Sequence, residues 1–364
     1  GGKKRHHKQR AHVAPQGAGV VPAPGGEAEG AAWCKQAMWT YDVRPGTTWG
    51  KLPPDGQAKW KTFGCDDAVT NKADFINPAA LPTCPIGGAD EPKKPLVAVC
   101  CGTTTRKVDQ PAISKLALFR YLLPSMAHTL DCGFEYVAVV GYDKGDQFYD
   151  TLHGKLQVEQ WFLDKVQGPL SERGLTVRLD LVQCDNKLKK PGPVFNIITK
   201  HAYDVGADYI YRVNDDTEMA APWAHRFVTK LANLGPPNIG AVGPLCQQGN
   251  QKILTHDFTH RTHMEIFGGW YYPQELVDWW MDDWISRVYG SKRTRQGQSV
   301  PVVHHTGAHG QRYQVDKSNK KHLERLLKDG QNKIIAYMEK INADPGHVKS
   351  VKNDRFNGHP FEKF

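Results

Sequence analysis

The sequence lacks several features that would place the protein in a common functional class. No run approaches the roughly 20 consecutive apolar residues that a membrane-spanning helix requires. None of its 8 cysteines forms the C-x-x-C pair that zinc sites use. The polar segment CGTTTRK does not fit the G-x-x-x-x-G-K-S/T pattern. These absences exclude a P-loop and argue against a zinc module.

Large apolar side chains are almost missing from the first 30 residues. Residues 1–30 open with the basic run GGKKRHHKQR and continue with Gly, Ala and Pro. Such a segment buries too little apolar surface to fold, so we predict a flexible stem or linker. Because the chain begins on Gly-Gly without Met, we also expect a processed or truncated start.

The remaining composition is that of a folded protein with a basic surface. The chain has 364 residues, 40% of them hydrophobic and 10% aromatic, which suits one large core or two smaller ones. The net charge of +9 is concentrated at the start and in the C-terminal third. Such charge fits solvated tails, a nucleic-acid surface or a groove for an anionic small substrate, so charge alone does not distinguish among these three alternatives.

The stretch from residue 31 to residue 92 is rich in Pro and Gly and carries four tryptophans. We predict an irregular extension that packs on the main body. Cys34, Cys65 and Cys84 are spread through it, which is compatible with disulfides in a secretory compartment. Buried free thiols explain the same cysteines, so both alternatives stay open.

Strand-like and helical segments alternate from Pro95 onward. The strand-like runs are LVAVCCG, FEYVAVVGYD, LTVRLDLVQC and ADYIYRV, and the helical runs between them are ISKLALFRYLLPSMAHTL, LQVEQWFLDKV and FNIITKHAYDVG. This order predicts an α/β fold, with a mostly parallel central sheet flanked by helices, in a catalytic domain over residues 93–345. Residues 346–364 are predicted to be a C-terminal tail.

The pattern after the fourth strand is less regular. NIGAVGP predicts a short strand, HDFTHRTHMEIFGGWYYP a loop-rich aromatic segment, QELVDWWMDDWISRVYG an amphipathic helix and VPVVHHTG a late strand. The segment from Asn319 to Gly346 predicts one or two helices broken at Gly330.

Two adjacent carboxylates, Asp215 and Asp216, follow the fourth strand. Ligands bind at the carboxyl ends of strands in an open α/β sheet. Neighbouring carboxylates repel each other unless a cation lies beside them, and a divalent metal takes such oxygens together with phosphate oxygens. The alternative is a polar turn that caps the next element.

Two further motifs carry chemistry. WWMDDW contains Asp282 and Asp283, which can supply a general base in a pocket made apolar by tryptophans, or can face solvent and pair with Arg287. VVHHTG contains His304 and His305, and imidazole is a common metal ligand. Because side chains alternate along a strand, only one of the two histidines is expected to face the site.

The order VNDDT, WWMDDW and VVHHTG, over residues 95–315, resembles the GT-A glycosyltransferases, which use nucleotide-sugar donors. The resemblance implies a GT-A-like, Rossmann-type sandwich. It assigns Asp216 to a divalent metal, Mn²⁺ or Mg²⁺, and Asp215 to the ribose and the metal, while Asn214 departs from the acidic residue of other members. It also implies a general base, for which Asp283 is preferred over Asp282, and a late histidine ligand.

The same resemblance suggests donor and acceptor residues. The loop after the first strand would face the nucleotide, which makes Thr103, Thr105 and Arg106 candidates, followed by Asp143, Lys144 and Lys200. An ordinary turn or a solvated lysine explains the last three equally well. The polar and aromatic residues His260, Arg261, Trp270 and Tyr271 are candidates for a sugar pocket.

We therefore predict a metal-dependent hexosyl- or pentosyltransferase that moves a sugar from a UDP-sugar to a hydroxyl of a glycan or glycoprotein. An acidic residue in the position of the base favours inversion, and retention is the alternative. The stem resembles those that tether such enzymes to a type II Golgi anchor, which implies the Golgi lumen. The alternatives are a nucleotidyltransferase and a carbohydrate- or nucleic-acid-binding protein that uses the basic ends and the aromatic segment. No nucleic-acid partner is expected under the first reading.

Overall fold

The structure is a computed structural model that describes residues 34, 52–62, 76–86, 92–248, 250–308, 312–354 and 362–364. The chain divides into two units, residues 1–71 and residues 72–364. In the first unit, the described part contains helix α1, Pro54–Thr62, and the buried side chains of Leu52 and Trp60. The predicted stem at residues 1–30 lies outside the described residues.

A mixed sheet forms the centre of the second unit, with nine strands in the described ranges. They are β1 (Leu96–Thr103), β2 (Glu135–Asp143), β3 (Thr176–Cys184), β4 (Tyr209–Asn214), β5 (Thr217–Met219), β6 (Ala241–Cys246), β7 (Asp257–His260), β8 (Thr294–His304) and β9 (Glu362–Lys363). Their order is β3-β2-β1-β4-β7-β6-β8-β5, and β9 pairs with β8.

Helices flank this sheet. The described α-helices are α2 (Leu123–Thr129), α3 (Leu152–Phe162), α4 (Gly168–Ser171), α5 (Pro191–Asp204), α6 (Ala224–Ala232), α7 (Thr262–Ile266), α8 (Met281–Val288), α9 (Lys320–Lys340) and α10 (Pro345–Lys352). Short π-helical turns at Leu118–Leu122 and Leu163–Gln167 lead into α2 and follow α3. No helix in the described ranges combines the length and apolar composition that crossing a bilayer requires.

The alternation of strands and helices is explained by burial on both faces of the sheet. Along β1, Val97, Val99 and Cys101 contact one hydrophobic cluster, and Leu96, Ala98 and Cys100 contact the other. Parallel strands covered by helices on both faces need such continuous apolar runs. The predicted α/β class is confirmed, and the architecture is consistent with a GT-A-like sandwich.

Parallel pairing holds in only part of the sheet. Strands β3, β2, β1 and β4 are parallel neighbours, as predicted. Beyond them β7 runs antiparallel to both β4 and β6, and β5 runs antiparallel to β8. The sheet is therefore mixed, but most of its described pairings are parallel, since β8 also pairs in parallel with β6 and β9.

The structure differs from the predicted elements at three places in the C-terminal half. The segment HDFTHRTHMEIF, predicted as a loop, contains β7 and α7. The predicted break at Gly330 is also wrong, because α9 continues through it. A β-carbon at Gly330 would lie 2.5 Å from the Val288 side chain, so glycine allows close approach of α8 rather than ending a helix. The segment predicted as a tail contains α10, whose Val348 and Val351 are buried.

The described cysteines include both disulfide-bonded residues and buried free thiols, the two alternatives that the sequence left open. Cys84 and Cys132 form a disulfide that joins the segment before β1 to the turn before β2. Cys34 is also disulfide-bonded, whereas Cys65 lies outside the described residues. Buried free thiols are Cys100, Cys101, Cys184 and Cys246.

Candidate active site

The carboxyl ends of β1, β2 and β4 meet at one edge of the sheet. Thr103 pairs in register with Tyr142, and Gly102 pairs with Asn214. The Thr103 hydroxyl therefore reaches the turn after β4 that contains Asp215 and Asp216, which we call the acidic turn. There it donates to the Asp215 carboxylate at 2.8 Å. Because these strands are parallel, the loops after β1 and β2 lie beside the acidic turn after β4.

Asp215 is held by a cation that the sequence analysis did not identify. Its side chain is almost fully buried, and Arg312 donates to both carboxylate oxygens at 2.7 and 2.6 Å. Burial lowers the pKa of Arg312, but the charge of Asp215 and its hydrogen bonds outweigh burial and raise it. The two groups form a bidentate ion pair that, together with Thr103, occupies both oxygens of Asp215.

Asp216 lies beside one of the two adjacent histidines. The Nε2 atom of His304 is 3.0 Å from Oδ1 of Asp216, because β5 and β8 pair Thr217 with His304. Burial lowers the pKa of His304, but its hydrogen bond with Asp216 opposes burial and the pKa rises to about 10. His305 contacts Glu218 at 2.7 Å instead. The structure therefore brings the His304 side chain to the acidic turn, whereas His305 contacts that turn through its backbone nitrogen, which donates to the Asp216 carbonyl at 2.9 Å.

The fit of these residues to a divalent metal is partial. No group of three His, Cys, Asp or Glu side chains in the described ranges could hold a metal ion. Oδ1 of Asp216 and Nε2 of His304 are close enough to occupy adjacent positions around one cation, but Asp215 and His305 are engaged elsewhere. The pair suits a cation whose other ligands are water and phosphate oxygens.

A strongly basic cavity of about 590 Å³ adjoins the acidic turn. We call it the basic pocket, and its cationic lining residues are Arg106, Lys107, Lys189, Lys190 and Arg312. Arg106 pairs with Asp143 at the end of β2, and Lys190 pairs with Asp278 at 2.7 Å. Tyr313 adds an aromatic ring to the lining. Five cations in one cavity favour a ligand with several negative charges.

Three other predicted donor residues serve local structure. Thr105 bonds to Asp146 through both its backbone nitrogen and its hydroxyl, each at 2.7 Å, which fixes the turn after β1. Lys144 is exposed. The ammonium of Lys200 pairs with Asp204 one turn later on α5, at 2.6 Å. None of the three lines the basic pocket.

The carboxylate pair on α8 points in two directions. Asp282 accepts a hydrogen bond from Arg212 at 2.7 Å, whereas Asp283 lies within electrostatic range of Arg287 and Lys320. Burial raises the pKa of Asp282 to about 6, with Arg212 opposing the rise, and burial also raises the pKa of Asp283.

Asp282 also influences a residue of the basic pocket. Burial raises the pKa of Tyr313, and the negative charges of Asp282, Asp278 and Asp216 raise it further, while Arg312 opposes them. Tyr313 lines the basic pocket and therefore lies within electrostatic range of both Asp282 and the acidic turn.

A buried network supports Asp282 and was not predicted. Arg212 on β4 contacts Asp257 at 2.6 Å and donates its Nε–H to the Tyr272 hydroxyl at 2.6 Å. The Tyr271 and Tyr272 hydroxyls donate to Asp257 at 2.6 and 2.7 Å. An arginine inside the apolar strand YIYRVN was the available signal, because a buried guanidinium requires carboxylate partners.

The predicted sugar pocket is not assembled. His260 pairs with Tyr209, at the far end of β4 from Asn214, a separation of about 17 Å along the strand. Arg261 follows His260 and bonds to the Asp208 carbonyl there. The antiparallel direction of β7 therefore carries both residues away from the acidic turn.

The aromatic members of that predicted pocket also separate. Tyr271 is fully buried in the Arg212 network. Trp270 is 46% exposed and lines a second cavity of about 720 Å³ together with Trp284 and Arg325. The second cavity and the basic pocket share no lining residue.

Comparison with known proteins gives structural matches at low sequence identity. No protein-family model matches the chain, and no curated protein matches it. Among solved structures it is similar to S. aureus TarS 1–349, with 12% identity over 72% of this chain and 71% of that one at a TM-score of 0.38. The same fragment in complex with UDP matches with 13% identity, 70% and 69% coverage and a TM-score of 0.38. A further S. aureus TarS structure matches with 12% identity, 70% and 42% coverage and a TM-score of 0.37.

Proposed function

We propose that the protein is a glycosyltransferase that transfers a sugar from a nucleotide diphosphate sugar, in the first place a UDP-sugar, to a hydroxyl of a glycan or glycoprotein. One observation carries the proposal: Asp282, a carboxylate with a raised pKa, and Asp216 of the acidic turn both lie within electrostatic range of Tyr313, which lines the basic pocket. Sugar transfer needs a cationic site for the leaving diphosphate and a base for the acceptor.

The donor diphosphate would bind in the basic pocket. Arg106 and Arg312 offer planar guanidinium groups, and Lys189 and Lys190 offer ammonium groups. Guanidinium and ammonium groups neutralise phosphate charge, and the former also bond to two oxygens at once. The ribose would contact Asp215, as the resemblance implies.

Asp216 and His304 would hold a divalent cation at the edge of this pocket, with Mn²⁺ or Mg²⁺ as candidates. A bound cation would stabilise the negative charge that develops on the leaving diphosphate. Their donor atoms are 3.0 Å apart, which is compatible with adjacent ligands of one ion.

Asp282 is the better candidate for the general base, rather than Asp283. Its carboxylate would take the proton of the acceptor hydroxyl while the hydroxyl oxygen bonds to the anomeric carbon. The bond from that carbon to the diphosphate oxygen breaks at the same time, so nucleoside diphosphate leaves with the electron pair and the sugar inverts. Arg212 fixes one oxygen of Asp282 for this step.

The decisive experiment is a panel of UDP- and GDP-sugars with Mn²⁺, scored for release of nucleoside diphosphate in the presence of glycan acceptors. Asp282→Asn should lower transfer about 100-fold to 10,000-fold, which is the range for loss of a general base. Asp283→Asn removes the same charge one residue away and should change transfer only a few-fold.

Other outcomes would contradict this function. Release of pyrophosphate instead of nucleoside diphosphate would indicate nucleotidyl transfer. An absence of release from every donor, together with no thermal stabilisation by UDP or GDP with Mn²⁺, would leave a binding protein as the better account.

A lumenal location in the secretory pathway, in the first place the Golgi, is part of the proposal. The Cys84–Cys132 disulfide supports it, because disulfides persist mainly in oxidising compartments.

A further inference from the structure

Arg312 lies between the Asp215 carboxylate and the basic pocket. Its guanidinium donates to both oxygens of Asp215 and also lines the basic pocket. Its side chain retains 16% of its exposed surface, whereas that of Asp215 retains 2%. Arg312 can therefore be reached from the pocket, while Asp215 is covered by Arg312 and Thr103.

The segment that carries Arg312 is held by side chains of the surrounding body. Residues 312–316 contain no helix or strand. Arg106 donates to the Arg312 carbonyl at 2.9 Å, Lys190 donates to the Gln314 carbonyl, and Asp278 accepts from the Asp316 backbone at 2.9 Å. Side chains of the body around the basic pocket thus hold the backbone of this segment independently of the ion pair between Arg312 and Asp215.

The ion pair and the proposed donor compete for the same groups. In the proposed function, ribose hydroxyls bind Asp215 and the diphosphate binds the cations of the pocket. Both oxygens of Asp215 are already taken by Arg312 in the free protein. A carboxylate and a phosphate present similar pairs of oxygens, so one guanidinium can bind either of them in the same fork geometry.

We propose that Arg312 is a donor-binding residue that exchanges partners, from Asp215 in the free protein to the diphosphate in the donor complex. The exchange frees Asp215 to accept hydrogen bonds from the ribose hydroxyls, while Thr103 remains bound to it. Neither charge is left buried without a partner, which would be costly. The inference rests on the proposed function.

The test separates this role from simple neutralisation of Asp215. Binding of UDP and GDP, each with Mn²⁺, is measured by calorimetry for the wild type, Arg312→Gln, Asp215→Asn and the double variant. Uridine and guanosine serve as ligands without phosphate. Arg325→Gln removes one positive charge from the surface of α9, where Arg325 pairs with Glu275 and Asp329, and is the matched control.

Loss of Arg312 should weaken binding of the nucleoside diphosphate about 10-fold to 100-fold, the range of a charge-assisted contact. The same loss should appear in the Asp215→Asn background, where no buried carboxylate needs neutralising. Affinity for the nucleoside should not fall, since it lacks the group that Arg312 binds and its ribose no longer competes with Arg312 for Asp215. Arg325→Gln should bind as the wild type does.

Two results would overturn the inference in different ways. If Arg312→Gln weakens binding in the wild-type background but not beside Asp215→Asn, Arg312 only neutralises Asp215. If the wild type binds neither UDP nor GDP, the proposed function fails together with the inference. Unchanged affinity in Arg312→Gln, with a wild type that binds, rejects the inference alone.

Discussion

Individual carboxylates in this protein differ in their access to a substrate, because different cations and hydroxyls contact them. Arg212 contacts Asp257 and Asp282 through the same nitrogen, at 2.6 and 2.7 Å. Asp257 is fully buried and also accepts from Tyr271 and Tyr272, so its oxygens are committed to the fold. Asp282 keeps a quarter of its side-chain surface exposed. It is therefore the member of this network that can reach a substrate.

The pH dependence of sugar transfer follows from Asp282. Burial raises its pKa to about 6, and the carboxylate accepts a proton only when ionised, so we expect kcat/KM to rise with pH through about 6 and level off above it. The charged and titratable groups around it are Arg212, Asp257, Asp283, Tyr272 and Tyr313. The measurement is kcat/KM between pH 4.5 and 8, which spans the expected transition.

A control isolates the contribution of Asp282 to this profile. Asp283→Asn removes one nearby negative charge, which should lower the pKa of Asp282 and shift the acidic limb slightly toward lower pH. A profile that stays flat down to pH 5, or that loses its acidic limb in Asp283→Asn, would assign the base elsewhere.

At the scale of elements, the contact between α8 and α9 sets the orientation of the carboxylate pair. Trp284 on α8 donates to the Leu326 carbonyl on α9, and Gly330 faces Val288. Since Asp282 and Asp283 sit in the first turn of α8, this contact determines which of them turns toward Arg212.

Gly330→Ala should destabilise the protein although alanine favours helices. The added β-carbon would lie 2.5 Å from the Val288 side chain, so α8 or α9 must shift, at a cost of about 1 to 3 kcal/mol in the free energy of unfolding. Urea denaturation measures this change. Val288→Ala beside it should restore part of the loss, and a Gly330→Ala variant as stable as the wild type would contradict the contact.

Some elements were predictable because their signals are local. The strands β1 to β4 and the helices between them follow from runs of apolar residues with recognisable periods. Strand β7 has only four residues and exists because it pairs with β4 and β6. Its sequence, with a histidine before it and another at its end, carries no period, so the loop prediction failed there.

At the scale of the molecule, the Cys84–Cys132 disulfide closes a loop that contains β1. The two cysteines are 48 residues apart, and Cys84 is buried against the core that covers one face of the sheet. A bridge of this span restricts the unfolded chain and so stabilises the folded one.

Removal of both cysteines, as Cys84→Ser with Cys132→Ser, should lower the free energy of unfolding by about 2 to 5 kcal/mol. Thermal unfolding with and without dithiothreitol supplies the measurement. Reductant should lower the Tm of the wild type and have a smaller effect on the double variant. Equal Tm values for the oxidised wild type and the double variant would contradict a stabilising bridge.

Local sequence is enough to predict the α/β class, the order of the first four strands along the chain and the position of Asp215 and Asp216 after β4. These features depend on short apolar runs and on the residues at which the runs end. The folded structure is needed to tell which side chain of each adjacent pair makes the contact. His304 rather than His305 contacts the Asp216 side chain, and Asp282 rather than Asp283 contacts Arg212. The deciding partners are distant in sequence, as with Arg312, which lies 97 residues beyond Asp215. Local patterns carry no information about such partners, since chain direction and helix contacts bring them together only in the folded protein.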